Sequence, residues 1–160
     1  MIPVISFIGN SNSGKTTYLE KLIAEMKRRH YKIAIVKHDV HGFDIDHPGK
    51  DTWRHAQAGA DIVCISSPQK MALIKKVDQE LSLDQVLDHI DNVDFIFTEG
   101  YKQEAKPKIE VFRQKDGNRP LGRLNDLIAV VSNGVVYEDI PHFTIEDPKP
   151  LADFLEKTFV

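Results

Sequence analysis

The chain has 160 residues, 41% apolar and 28% charged, with a formal net charge of −3. That length and apolar content suit one domain that buries a core without disulfides or metals, and the slight negative balance offers no electrostatic basis for binding nucleic acid or an anionic membrane surface. The lone cysteine, Cys64, excludes an internal disulfide, and the opening MIPVISFIG has no basic segment and turns polar at Asn10, so neither a signal peptide nor a membrane span is expected and the protein is expected to be cytoplasmic.

In chain order, PVISFI (3–8) is short, apolar and ends at a glycine, the pattern of a buried strand. Residues 17–29 follow as a predicted helix, with Leu19, Leu22, Ile23 and Met26 on one stripe. KIAIVK (32–37) reads as a second buried strand, and a long polar segment runs from His38 to Asp51. A short helix is predicted over 52–58, where Trp53, Arg54 and His55 suit packing against a sheet better than a base-stacking platform. Strands are predicted at DIVCIS and MALIKKV, and Cys64 is expected to be buried in the first of these. A helix near 83–89 precedes the apolar strand VDFIFT (93–98); KIEVFR and LIAVVS read as later strands. A final helix opens after Asp147 with Pro148 and Pro150 at its start, and Leu151, Phe154, Leu155 and Phe159 share one face.

Residues 9–16, GNSNSGKT, satisfy G-x-x-x-x-G-K-[ST] in full between the first strand and the first helix. The glycines allow positive φ and close backbone approach, so that successive N–H groups of Gly9, Asn10, Ser11, Asn12, Ser13 and Gly14 point into one concave nest. The helix N-terminus, with Thr16 and Thr17, adds unpaired donors and a positive dipole end. Lys15 supplies a mobile charge for the β- and γ-phosphates, and Thr16 a hydroxyl for Mg²⁺. A glycine-rich turn without a ligand is the bland alternative, but the motif falls where the mechanism needs it, and nucleoside triphosphate binding is expected. With strands alternating with helices, this predicts an α/β fold over residues 1–160 in a single domain, of P-loop NTPase type: a three-layer sandwich with a mainly parallel central sheet. The strands between 60 and 77 and between 108 and 136 are expected to add antiparallel members.

A phosphate site of this kind wants a carboxylate at the end of a neighbouring strand. Glu99 ends the apolar run before Gly100, whereas Asp94 starts it and falls at the far end of a parallel sheet, so Glu99 is the metal and catalytic candidate. Residues 36–51 gather Lys37, His38, Asp39, His41, Asp44, Asp46, His47, Lys50 and Asp51 after the second strand. One reading is a switch-like loop in which Asp39 reaches water or magnesium near the γ-phosphate while Lys37, His38, Asp44, Lys50 and Asp51 serve a second ligand. A transition-metal site and a merely solvated loop are the alternatives, and the spacing fits no closed zinc pattern. Arg113, Lys115, Arg119 and Arg123 either grip a phosphorylated ligand or flank a solvated hairpin at Asp116-Gly117-Asn118. No N-K-x-D sequence is present to read guanine; VVSN (130–133) ends a late strand where base contacts often lie, without naming the base.

Together, the phosphate loop, VKHDVHGFDID, GKDTWRHAQAGAD, FTEGYK and PKIEVFR resemble the molybdopterin-guanine dinucleotide biosynthesis adapter family, from about Ile2 to Asn133. The resemblance implies GTP binding at residues 9–17 with Mg²⁺ near Thr16 and Glu99, slow hydrolysis, and a homodimer working beside the guanylyltransferase that joins molybdopterin to GMP. It also implies a place between Lys37 and Asp51 for molybdopterin or its guanine dinucleotide. The competing reading is a small-molecule kinase passing the γ-phosphate to a metabolite. A kinase wants an arginine-rich lid, and only residues 113–123 offer candidates, without a helical pattern.

Overall fold

The computed structural model describes residues 1–114, 119–121 and 125–160. The elements in chain order are β1 (Val4–Ile8), α1 (Lys15–Arg28), β2 (Ile33–Lys37), α2 (Asp51–Gln57), β3 (Ile62–Ser67), β4 (Lys70–Lys75), α3 (Leu83–Leu87), β5 (Phe95–Glu99), β6 (Lys108–Phe112), β7 (Leu127–Ser132), β8 (His142–Thr144) and α4 (Lys149–Phe159). They fall into two compact units, Met1–His38 with Leu87–Val160, and Asp39–Val86. The fold is α/β, with a mainly parallel central sheet and a small antiparallel one.

The first unit is built on a six-stranded sheet of order β2-β5-β1-β6-β7-β8, every neighbouring pair parallel. Its strands are apolar runs because parallel strands are buried on both faces. Alternation sends Ile5 and Phe7, Phe95 and Phe97, Ile109 and Val111, and Ala129 and Val131 to one face. There they meet Leu19, Leu22 and Met26 of α1 and Leu151 and Leu155 of α4 in a single core. Phe7 and Phe97 touch edge to face at 5.3 Å. The opposite face is buried and partly polar: Thr98 donates a 2.9 Å hydrogen bond to Ser6. Lys108 donates to Glu104 O at 2.6 Å and pairs with Asp126 at 3.0 Å. Glu110 accepts Leu121 N–H at 2.6 Å, and burial pushes its carboxyl above the usual carboxylate range.

The two helices are also tied by charge. Glu25 of α1 meets Arg28 at 2.7 Å and Arg29 at 2.8 Å, and Arg29 reaches Asp153 and Glu156 of α4, both at 2.7 Å. The two guanidiniums hold the Glu25 carboxyl down at about 2.

Strands β6 and β7, expected to bring antiparallel pairing, are parallel to β1 instead. The connection from Arg113 to Asp126 is long enough for a crossover, where a hairpin would use two to five residues. The Asp116-Gly117-Asn118 turn, with Lys115 and Arg123, lies outside the described residues. Strand β8 escaped the sequence reading because three residues, His-Phe-Thr, display no period.

The second unit carries the antiparallel pairing among the described residues. β3 and β4 form a two-stranded sheet of their own, from Ile62 opposite Lys75 to Ser67 opposite Lys70, and α2 packs against β3 without burying a residue. A sheet of two strands has little to bury behind it, and Cys64, expected to be inside, is exposed.

Candidate functional site

Strand β1 ends at Ile8 and α1 begins at Lys15, and the six residues between them form a tight loop. Gly9 takes φ 149°, Asn12 61° and Gly14, the residue capping α1, 91°. A Cβ on Gly9 would overlap the Val111 carbonyl oxygen of β6 and stand 2.9 Å from Ser13 Oγ. Glycine is therefore required there by contact with the neighbouring strand as well as by backbone angle. At Gly14 the left-handed conformation turns the chain into the helix, leaving the first N–H groups of α1 unpaired at the loop.

Lys15 folds back over this loop, donating to Gly9 O at 3.0 Å and Asn10 O at 2.9 Å. Burial lowers its pKa from the ordinary lysine value; Glu99 opposes that shift, while Lys102 and Lys37 add to it. Thr16 Oγ1 donates to both carboxylate oxygens of Glu99, at 3.1 and 3.3 Å. The reason is again alternation. Glu99 follows Phe95 and Phe97 on the face that α1 covers, so its carboxylate meets the first turn of the helix. Ser13 Oγ is buried without a hydrogen-bond partner, an orphan that a ligand oxygen in the loop would satisfy. The loop leads into the unpaired N–H groups of the first turn of α1; with a lysine, a buried orphan hydroxyl and a threonine–carboxylate pair, it fits a polyphosphate carrying a divalent cation. Thr16 and Glu99 would hold the metal, and Lys15 would exchange its carbonyl partners for phosphate oxygens.

Of the residues singled out from sequence, the first unit thus brings together the loop Gly9, Asn10, Ser11, Asn12, Ser13 and Gly14 with Lys15, Thr16, Thr17 and Glu99. Lys37 stands beside Glu99 in register on β2. His38 N–H donates to Glu99 O at 3.0 Å, and its ring stacks on Tyr101 at 4.7 Å. Asp94 accepts Lys32 N–H at 2.7 Å, at the amino end of β5. Arg113 and Arg119 also belong to the first unit, and the candidates from Asp39 to Asp51 belong to the second. Asp39 accepts His41 N–H at 3.0 Å, Asp44 is exposed, Lys50 caps α2 in extended conformation, and Asp51 lies 3.9 Å from Arg54. Asp46 accepts from Thr52 Oγ1 and from His47 N–H. Among the described residues no group of three or more His, Cys, Asp or Glu is placed to hold a metal ion.

Three features escaped the sequence reading. Lys102, the last residue of FTEGYK, has no role assigned from the sequence, yet its charge adds to the lowering of the Lys15 pKa. Tyr101 adopts φ 54° to stack on His38, and Asn10 Nδ2 donates to Arg119 O at 2.9 Å, tying Arg119 to the Gly9–Gly14 loop. Lysines next to a strand end carry a usable signal; the other two depend on contacts between distant segments.

The family model described as MobB, molybdopterin guanine dinucleotide synthesis protein B, matches residues 4–133. The chain belongs to this family. It is 35% identical over 158 residues to the molybdopterin-guanine dinucleotide biosynthesis adapter protein of Haemophilus influenzae, covering 97% of this chain and 88% of that protein. It is 37% identical over 161 residues to the protein of the same description from Escherichia coli, covering 97% and 92%. The crystal structure of Bacillus subtilis MobB superposes with a TM-score of 0.76 over 98% of both chains at 24% identity, a likeness of fold. A crystal structure titled molybdopterin-guanine biosynthesis protein B gives 0.73 over 96% of this chain and 98% of that one, at 25% identity.

Proposed function

We propose that the chain is an adapter in molybdopterin guanine dinucleotide biosynthesis that binds GTP with Mg²⁺ and hydrolyses it slowly beside its guanylyltransferase partner. The observation that carries the nucleotide reading is the Lys15–loop and Thr16–Glu99 geometry. The choice of GTP over ATP and of a guanylyltransferase as partner is our reading of a role in making a guanine dinucleotide, and we assign the polar segment from Lys37 to Asp51 to molybdopterin or its guanine dinucleotide. The reading is of a cytoplasmic protein, and among the described residues no helix is long and apolar enough to cross a membrane.

We read the adapter as a homodimer because of the β3–β4 hairpin. Ile62, Met71 and Leu73 share one face and are 53%, 67% and 54% exposed. A two-stranded sheet is marginal alone, and an open edge with an apolar face invites pairing with an identical one.

Calorimetric titration with GTP, with and without Mg²⁺, tests the site. Lys15→Ala is expected to weaken GTP about a hundredfold, roughly 2.7 kcal/mol, with an unchanged circular dichroism spectrum. Equal affinity in a folded variant overturns the assignment. Rapid nucleotide turnover only in the presence of a small acceptor would mark a kinase instead.

A further inference from the structure

The alternation that carries Glu99 to α1 acts on β6 and β7 as well. Arg113 follows Ile109 and Val111 by the same period, so it leaves the sheet on the α1 face. Its guanidinium lies 3.8 Å (Nη2) and 3.9 Å (Nε) from where a Cβ on Gly14 would stand, with the Ile145 side chain at 3.5 Å from the same point. Asn133 extends β7 in the same phase and grips the residue after Arg113 from both sides. Its Oδ1 accepts Gln114 N–H at 2.7 Å, and its Nδ2 donates to Gln114 O at 3.4 Å. The exit of β6 is thereby fixed where Arg113 crosses to the phosphate loop.

The sheet order gives this edge a direction. Thr16, Glu99 and Lys37 lie on the β5 and β2 side of β1, which assigns the metal and the terminal phosphate to that side. A triphosphate lying along the loop then leads its nucleoside the other way, over β6 and β7. The group waiting there is a guanidinium, planar and weakly hydrated, which stacks on aromatic ring faces and gains most where water is excluded. An ammonium at the same place would be a point charge better suited to phosphate.

We propose that Arg113 forms the floor of the nucleoside pocket, stacking its guanidinium on the purine ring, and that Asn133 is the residue that positions it. The proposal rests on the nucleotide reading above and assigns to this edge a role separate from the phosphate grip.

The test compares a nucleotide with its phosphates alone. GTP, ATP and inorganic tripolyphosphate, each with Mg²⁺, are titrated into the full chain and into Arg113→Ala, Arg113→Lys, Asn133→Ala and Lys15→Ala, with thermal melting to verify folding. Arg113→Ala is expected to weaken GTP and ATP about tenfold and to leave tripolyphosphate within about twofold. Arg113→Lys, the conservative variant that keeps the charge and most of the aliphatic stem, is expected to lose most of the same factor. Asn133→Ala is expected to show a smaller loss confined to the nucleotides, which a general loosening of the fold would not produce. Unchanged GTP affinity in the arginine variants overturns the proposal, and so does an equal loss for tripolyphosphate, which would make Arg113 a phosphate contact. Lys15→Ala separates the two readings. If it retains both ligands, or the unaltered chain binds neither, the nucleotide assignment itself falls; if it loses both while the arginine variants lose nothing, only the stacking role falls.

Discussion

At Gly9 the demands of the loop and of the sheet coincide. The position lies against the Val111 carbonyl and Ser13 Oγ, so any side chain must push β6 from β1 or reopen the turn. Gly9→Ala is expected to cost roughly 1–3 kcal/mol by overpacking, read as a fall of several degrees in Tm, and to weaken triphosphate binding further than that loss of stability explains. Glu99 acts differently, because its partner Thr16 is exposed and the pair is built for exchange. Glu99→Gln is expected to keep the fold and flatten the Mg²⁺ dependence of GTP binding and hydrolysis; superimposable Mg²⁺ titrations would take Glu99 out of the site. The places of both residues were legible in the sequence because each sits at a strand end. Gly9 stands at the first and Glu99 at the fifth, and a parallel sheet gathers such ends on one edge. Arg113 was visible as one arginine among several. The alternation of β6 puts Arg113 on the α1 face, but that this end of β6 meets the loop depends on β6 pairing with β1, which no local pattern records.

The elements themselves follow from pattern wherever a face is buried. Helix α1 was foreseen from Leu19, Leu22, Ile23 and Met26, three of which are in the core with Ile23 packed against it. The pattern could not show that α1 and α4 are also joined through Glu25, Arg29, Asp153 and Glu156, since side chains from opposite ends of the sequence meet there. Glu25 is held near 2, below the roughly 4.3 of a free glutamate. Its ionised form therefore favours the folded state. That contribution is whole above about pH 5, shrinks as the pH falls through 4.3 and is gone below about 2. Glu25→Gln is expected to lower Tm at neutral pH and to narrow the drop in Tm between pH 5 and 2; melts across that range that parallel those of the unaltered chain would contradict the linkage. Where a face is not buried, pattern misleads. The apolar run around Cys64 resembles an interior strand, yet the β3–β4 sheet leaves the thiol exposed, because apolar composition records that a surface will be covered without recording by what.

For the molecule as a whole, that bare hairpin is the feature with consequences for assembly. Replacing Met71 and Leu73 together by lysine places like charges on the face we assign to a second copy. Light scattering after size exclusion is expected to show a dimer for the unaltered chain and a monomer for the double variant; a dimer in both would remove the hairpin from the interface. Topology acts on a different quantity, time. The strand that leads into the Gly9–Gly14 loop is made well before its two neighbours, Phe95–Glu99 and Lys108–Phe112, and pairing so distant in sequence is slow to form. A nascent chain therefore carries the complete G-x-x-x-x-G-K-T sequence until β6 has been made, without the sheet that shapes it. The loop takes its shape late and all at once, when β5 and β6 close around β1, and on the proposed function a half-made chain has no site for a nucleotide.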